Sequence, residues 1–181
     1  MIGASWGGLE AVGTVLEGLP DRVRQPIVVA QHRSPDSDAG LLGELLQRRT
    51  ARRIVDPEDK TPLEPDCVYL APPDYHALLE PGRLALSVDD PVHFARPSID
   101  VLFESAADAY AERAVGVVLT GANDDGAAGL ARIKARGGVA IVQDPEAAAQ
   151  RRMPEAALKA TAADAILPLA EIPKFLDGLC A

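Results

Sequence analysis

Val115-Gly116-Val117-Val118-Leu119 runs straight into Thr120-Gly121-Ala122-Asn123-Asp124-Asp125-Gly126. A short apolar run rich in β-branched residues stops, and a polar turn bounded by glycines follows. Runs of the same kind stand at Ile27-Val28-Val29-Ala30, Val68-Tyr69-Leu70-Ala71 and Val139-Ala140-Ile141-Val142. Continuous apolar runs of this length belong to strands buried on both faces, as in a parallel sheet covered by helices. Amphipathic stretches lie between them. Leu9, Val12, Val15, Leu16 and Leu19 mark one helix face, and Leu41, Leu42, Leu45 and Leu46 a second. Ile99, Leu102, Phe103, Ala106 and Tyr110 keep helical spacing just after Pro97-Ser98, a start signal. Leu130 and Ile133 belong to a further helix ending near Gly137-Gly138. One segment departs from the alternation: residues 76–80, Pro81-Gly82 and residues 83–88 read as a β-hairpin with turn-forming residues at its tip. The stretch 57–73 reads as a loop, a strand and a loop. The expectation is one domain over residues 1–181: α/β, doubly wound, with a mainly parallel sheet, helices on both faces and a β-hairpin insertion.

Composition agrees with that class. The chain has 181 residues, 48% hydrophobic and 25% charged, enough to bury a sizeable core. These values exclude a disordered chain, a collagen-like repeat and a disulfide-dense miniprotein. No stretch approaches the roughly 20 apolar residues that span a bilayer, so no membrane insertion is expected. With 18 Lys+Arg against 27 Asp+Glu the net charge is −9, which argues against sequence-independent binding to nucleic acid. Cys67 and Cys180 stand far apart in sequence and give no sign of a zinc site. Met1 is followed by Ile-Gly-Ala-Ser without a basic leader, so a cytoplasmic address is expected. Ile2 reads as the end of a buried strand whose earlier residues are missing, as in a chain trimmed or cut from something longer.

Ligands of open α/β sheets bind beyond the carboxyl ends of the strands, and three segments follow strand ends. In Ile2-Gly3-Ala4-Ser5-Trp6-Gly7-Gly8, Ser5 sits on a strand-to-helix turn, where an exposed hydroxyl beside free backbone N–H groups is placed for nucleophilic attack. The spacing matches neither G-x-S-x-G nor a P-loop, and a helix N-cap serine is the competing reading. His32, in Gln31-His32-Arg33-Ser34, has the ring chemistry of a general base near neutral pH. A strand-end histidine bound to a carbonyl competes, and Gln31 has a structural reading. Asp125, with Asp124 beside it, is a carboxylate able to orient a histidine, or an ordinary helix N-cap. A triad is defined by geometry, so the order Ser, His, Asp is no objection.

Together these segments resemble the catalytic domain of the chemotaxis protein-glutamate methylesterases (CheB-type). The resemblance rests on Ile-Gly-Ala-Ser-x-Gly-Gly at residues 2–8, Gln31-His32, and Leu-Thr-Gly-x-x-x-Asp-Gly-Ala-Ala-Gly at residues 119–129. Between them lie Leu63-Glu64-Pro65, Val68-Tyr69-Leu70-Ala71-Pro72 and Arg96-Pro97-Ser98-Ile99-Asp100-Val101-Leu102-Phe103; later come Gln143-Asp144 and Met153-Pro154. It implies a nucleophile at Ser5, the triad histidine at His32 and the triad aspartate at Asp125, with backbone N–H groups near Trp6 or Ala122 receiving the oxyanion. It implies hydrolysis of glutamate γ-methyl esters on the cytoplasmic helices of chemoreceptors, glutamine deamidation at the same sites, and no metal or organic cofactor. The chain departs from the family at Trp6, at Ala122 where Met is frequent, at Arg33-Ser34-Pro35, and at residues 148–152. The family's receiver domain is not in this sequence. Trp6 reads either as a pocket residue or as core packing, and Arg33 and Arg96 as contacts to an acidic receptor helix or as surface salt bridges. Two other functions are weighed: a receptor-binding module of the same fold without turnover, and a phosphate-binding protein using residues 3–8 as an anion loop.

Overall fold

The computed structural model describes residues 1–34, 36–37 and 39–180. Pro35, one of the departures just named, lies outside the described residues. In chain order the elements are β1 (Ile2–Ala4), α1 (Gly8–Gly18), β2 (Ile27–Gln31), α2 (Ala39–Gln47), β3 (Arg53–Val55), β4 (Thr61–Pro62), β5 (Cys67–Leu70), β6 (His76–Glu80) and β7 (Arg83–Ser87). They continue with α3 (Ile99–Tyr110), β8 (Val115–Val118), α4 (Ala127–Ala135), β9 (Val139–Gln143), α5 (Arg152–Ala160), β10 (Ala165–Leu167) and α6 (Ile172–Leu179).

Among the described residues, seven strands form one sheet in the order β10-β9-β8-β1-β2-β5-β3, and every pairing in it is parallel. The apolar runs are continuous because both faces are covered. Val28 and Ala30 join a core with Ile99, Phe103 and Leu130 from α3 and α4. Val29, Val68, Val117 and Ile141 join a second core with Val12, Val15 and Leu16 from α1 and Ile172 from α6. β1 lies between β2 and β8. The chain therefore winds away from β1 in one direction and later returns on its other side. That reversal opens a crevice at the carboxyl ends of β2, β1 and β8, where this architecture binds ligands.

The hairpin forms as expected, with β7 ending at Ser87 and Val88 67% exposed. It belongs to a separate antiparallel sheet, β4-β7-β6, so the stretch 57–73 holds a short strand in addition to β5. Tyr110 at the end of α3 anchors the hairpin turn: its hydroxyl accepts from the Gly82 N–H at 2.9 Å and donates to the Glu80 carbonyl at 3.1 Å. Two residues expected on buried helix faces are exposed, Leu9 and Leu41. Both lie in the first turn of helices that follow β1 and β2, at the carboxyl edge of the sheet and before the helix axis runs over its face. Among the described residues no helix is long and apolar enough to cross a membrane.

Candidate active site

The turn after β1 is built by glycine. Gly7 is the N-cap of α1 at φ 77°, a left-handed conformation that costs glycine little and other residues more. Gly8 has no room for a side chain, since a Cβ there would stand 1.9 Å from Gln31 Oε1. Gln31 holds the turn from below, donating to the Ser5 carbonyl at 2.9 Å and the His32 carbonyl at 3.1 Å; its structural reading stands. The Ser5 N–H donates to the Thr120 carbonyl at 2.9 Å, and Thr120 Oγ1 donates to the Trp6 carbonyl at 2.9 Å. Ser5 is thus not the N-cap. Its backbone is pinned between two loops, and among the described residues its Oγ has no hydrogen-bond partner. The backbone N–H groups of Trp6, Gly7 and Ala122 likewise find no acceptor among the described residues.

His32 follows β2 beside this turn. Ala4 pairs with Gln31 in the parallel register, and the His32 N–H donates to the Ala4 carbonyl at 3.0 Å. The two strand ends therefore deliver Ser5 and His32 side by side. His32 Nε2 lies 2.7 Å from Asp125 Oδ2, and the competing reading of a ring bound only to a carbonyl does not hold.

Asp125 is fully buried, and it caps a helix other than the one it precedes. The N-cap of α4 is Gly126, with no side-chain cap. Asp125 instead receives the start of α3: the Ile99 N–H at 2.7 Å on Oδ2, and the Asp100 N–H at 2.9 Å and Ser98 Oγ at 2.8 Å on Oδ1. Burial alone would push its pKa up. Hydrogen bonds from His32 and from the Asp100 and Ile99 amides outweigh burial, and the net displacement is downward. A carboxylate at a helix N-terminus with this many donors stays ionised, able to support a charged imidazole. Asp124, by contrast, is exposed and paired with Arg152 at 2.9 Å.

Three contributors escape the sequence reading. Ser98, expected only as a helix start, caps α3 by accepting from the Val101 N–H at 3.4 Å while donating to Asp125. Buried His76 accepts the Ser98 N–H at 3.1 Å on Nδ1, which fixes the Ser98 backbone. Asn123 bridges His32 and Asp125: its Nδ2 lies 3.4 Å from His32 Nδ1, and its Oδ1 accepts from the Asp125 N–H at 3.3 Å. The signal for Asn123 is an Asx turn, a short amide two residues before the amide it binds.

Asp100 lies next to Asp125 and is itself buried. Burial drives its pKa up to about 6; the Gly129 N–H pulls it back, and Asp125 pushes it further up. His93 Nε2 lies 3.3 Å from its Oδ2. Among the described residues, His93, Asp100 and Asp125 are the ligand types gathered within 4.8 Å. The Asp125 oxygens are already occupied by N–H and O–H donors, so this group is a hydrogen-bond network.

The rim residues separate. Trp6 is 69% exposed, so it is not core packing. Ala122 is exposed too. His32 and Asn123 line an open cleft of about 460 Å³ together with Arg33, His93, Phe94 and Arg96. Arg96 binds Asp74 through Nε at 3.0 Å and the Val88 and Asp89 carbonyls at 2.8 and 3.0 Å, which is its salt-bridge reading with a loop-pinning role added. Arg33 reaches the Ala71 carbonyl at 2.9 Å.

Comparison with known proteins finds relatives over nearly the whole chain. A family described as CheB methylesterase matches residues 1–176. A Leptospira interrogans protein, provisionally named protein-glutamate methylesterase/protein-glutamine glutaminase, is 44% identical over 99% of this chain and 93% of its own length. The Myxococcus xanthus protein-glutamate methylesterase FrzG is 40% identical over 94% of this chain, which spans 51% of that relative. The crystal structure of the Thermotoga maritima CheB methylesterase catalytic domain superposes with a TM-score of 0.92 at 31% identity, over 98% of this chain and 96% of that one.

Proposed function

This chain belongs to the CheB methylesterase family, and from that premise we propose that it hydrolyses glutamate γ-methyl esters on the cytoplasmic helices of chemoreceptors through Ser5, His32 and Asp125. The observation carrying the residue assignment is the 2.7 Å contact between His32 and a buried, ionised Asp125, beside a serine whose hydroxyl is unbound. Ser5 Oγ attacks the ester carbonyl and His32 takes its proton. Nε2 is engaged by Asp125, so Nδ1 is the nitrogen left to accept. The oxyanion forms next to the open N–H groups of Trp6 and Ala122; one such donor is worth roughly 2.7–4 kcal/mol of barrier. His32 returns the proton to the leaving oxygen, methanol departs, and an acyl ester remains on Ser5. Water, losing its proton to His32, attacks that ester; as the bond to Ser5 breaks, His32 passes the proton to Ser5 Oγ and glutamate is freed. Glutamine in place of the methyl ester follows the same path with ammonia leaving, and the Leptospira interrogans relative carries both activities in its provisional name. The reaction places the chain in the cytoplasm, where those helices lie, and needs no metal or organic cofactor.

Methanol release from a methylated receptor tests the proposal. Ser5→Ala is expected to lower the rate by at least about 10³-fold with unfolding unchanged, and to abolish labelling by a fluorophosphonate probe. An active Ser5→Ala variant would dismiss the residue assignment. Stoichiometric receptor binding by the wild-type protein without methanol release would turn the reading to a binding module.

A further inference from the structure

Asn123 is a polar side chain at the ring of His32 for which the chemistry above has no use. Its Oδ1 accepts the Asp125 N–H, which directs its NH₂ toward His32, and Nδ2 lies 3.4 Å from Nδ1. An amide NH₂ only donates, so Nδ1 is the unprotonated, accepting nitrogen. At the other end of the ring an ionised carboxylate only accepts, so Nε2 carries the proton. Both contacts call for the same tautomer, and both come from the one loop after β8. That tautomer leaves the basic lone pair on Nδ1, the atom that must take the Ser5 proton. A 3.4 Å contact is a little longer than the roughly 2.7–3.2 Å usual for such a hydrogen bond, so it orients the ring and yields to an incoming hydroxyl.

We propose that Asn123 is a positioning residue that donates to His32 Nδ1, keeping this nitrogen unprotonated and ready to accept the Ser5 proton. The inference rests on the Ser5, His32, Asp125 reading.

The other charged groups facing this ring are in place whatever residue stands at 123. Asp125 holds Nε2, and Asp124 is bound to Arg152 of α5. From the side of α3, Asp100 meets His93, and Arg96 is bound to Asp74. Arg33 follows the histidine and reaches Ala71.

Asn123→Asp is the informative change. It keeps an acceptor for the Asp125 N–H and replaces the donor at Nδ1 with a carboxylate oxygen. The imidazole then lies between two carboxylates, and an opposite charge this close favours the charged ring by roughly 1–3 pH units. The acid limb of the kcat/KM profile for a methyl ester is expected to move up by about 1 unit or more, with activity regained at higher pH. Two-bond ¹H–¹⁵N spectra of His32 read the same point without substrate. The wild-type neutral ring is expected to be protonated on Nε2, and its titration midpoint to rise in Asn123→Asp. Asn123→Ala, which removes the donor at Nδ1 together with the acceptor for the Asp125 N–H, is expected to raise the midpoint by a fraction of that and to lower kcat more than it changes KM. A wild-type ring protonated on Nδ1, or a midpoint unmoved in both variants, overturns the proposal. The spectra answer even if the wild-type protein fails to hydrolyse the ester, so the two failures are distinct.

Discussion

Asp100→Asn is expected to stabilise the protein at about pH 8 far more than at about pH 4.5. Asp100 is 4% exposed and accepts the Gly129 N–H on Oδ1 at 2.7 Å. Its pKa stands at about 6 against an ordinary 3.8, because burial and then the Asp125 charge outweigh the Gly129 N–H and His93. The folded state therefore binds this proton more tightly than the unfolded chain. The stability it contributes is complete below the unfolded pKa and is lost as pH rises through about 6. At about 1.4 kcal/mol per pH unit, the loss reaches about 3 kcal/mol at pH 8 and only about 1 kcal/mol at pH 4.5. Asparagine keeps an oxygen for Gly129 and has no charge to desolvate or to oppose Asp125, so it recovers those amounts, less a fraction for the His93 contact. Urea unfolding of both proteins at the two pH values, with m-values compared, measures the difference. A gain of the same size at both pH values, or a loss at pH 8, would refute the reasoning.

Asp125→Asn is expected to cost both function and stability. Whichever way the amide turns, its NH₂ faces backbone or hydroxyl donors that are left without an acceptor, a loss of about 2–4 kcal/mol in urea unfolding. Ester hydrolysis is expected to fall by about 10⁴, and near-normal turnover would remove Asp125 from the mechanism. Ser98→Ala removes the cap of α3 and one donor to Asp125. A stability loss of about 1–2 kcal/mol in thermal unfolding is expected, and an unchanged melting temperature would refute the capping role.

The parts of the fold legible in the sequence were those whose signal is local. The long apolar runs became β2, β5, β8 and β9 because burial on both faces is written into each run. The hairpin and the start of α3 were readable from Pro81-Gly82 and Pro97-Ser98. Arg53–Val55 and Ala165–Leu167 were not, being three-residue edge strands, too short for a period. At the site, Ser5, His32 and Asp125 were legible by their place after strand ends. Ser98, His76 and Asn123 were not, because their roles exist only through partners brought close by folding.

By itself the sequence determined the long buried strands, the glycine turn, and the presence of an alcohol, an imidazole and a carboxylate each following a strand; these depend on residues within a turn or two of each other. The tertiary structure alone decided that β1 lies between β2 and β8, which brings the three side chains to one crevice. It also turned Asp125 from the cap of its own helix into the acceptor for the start of α3, more than twenty residues earlier in the chain. Strand order and carboxylate partners depend on which surfaces meet across long stretches of chain, and no local pattern records that.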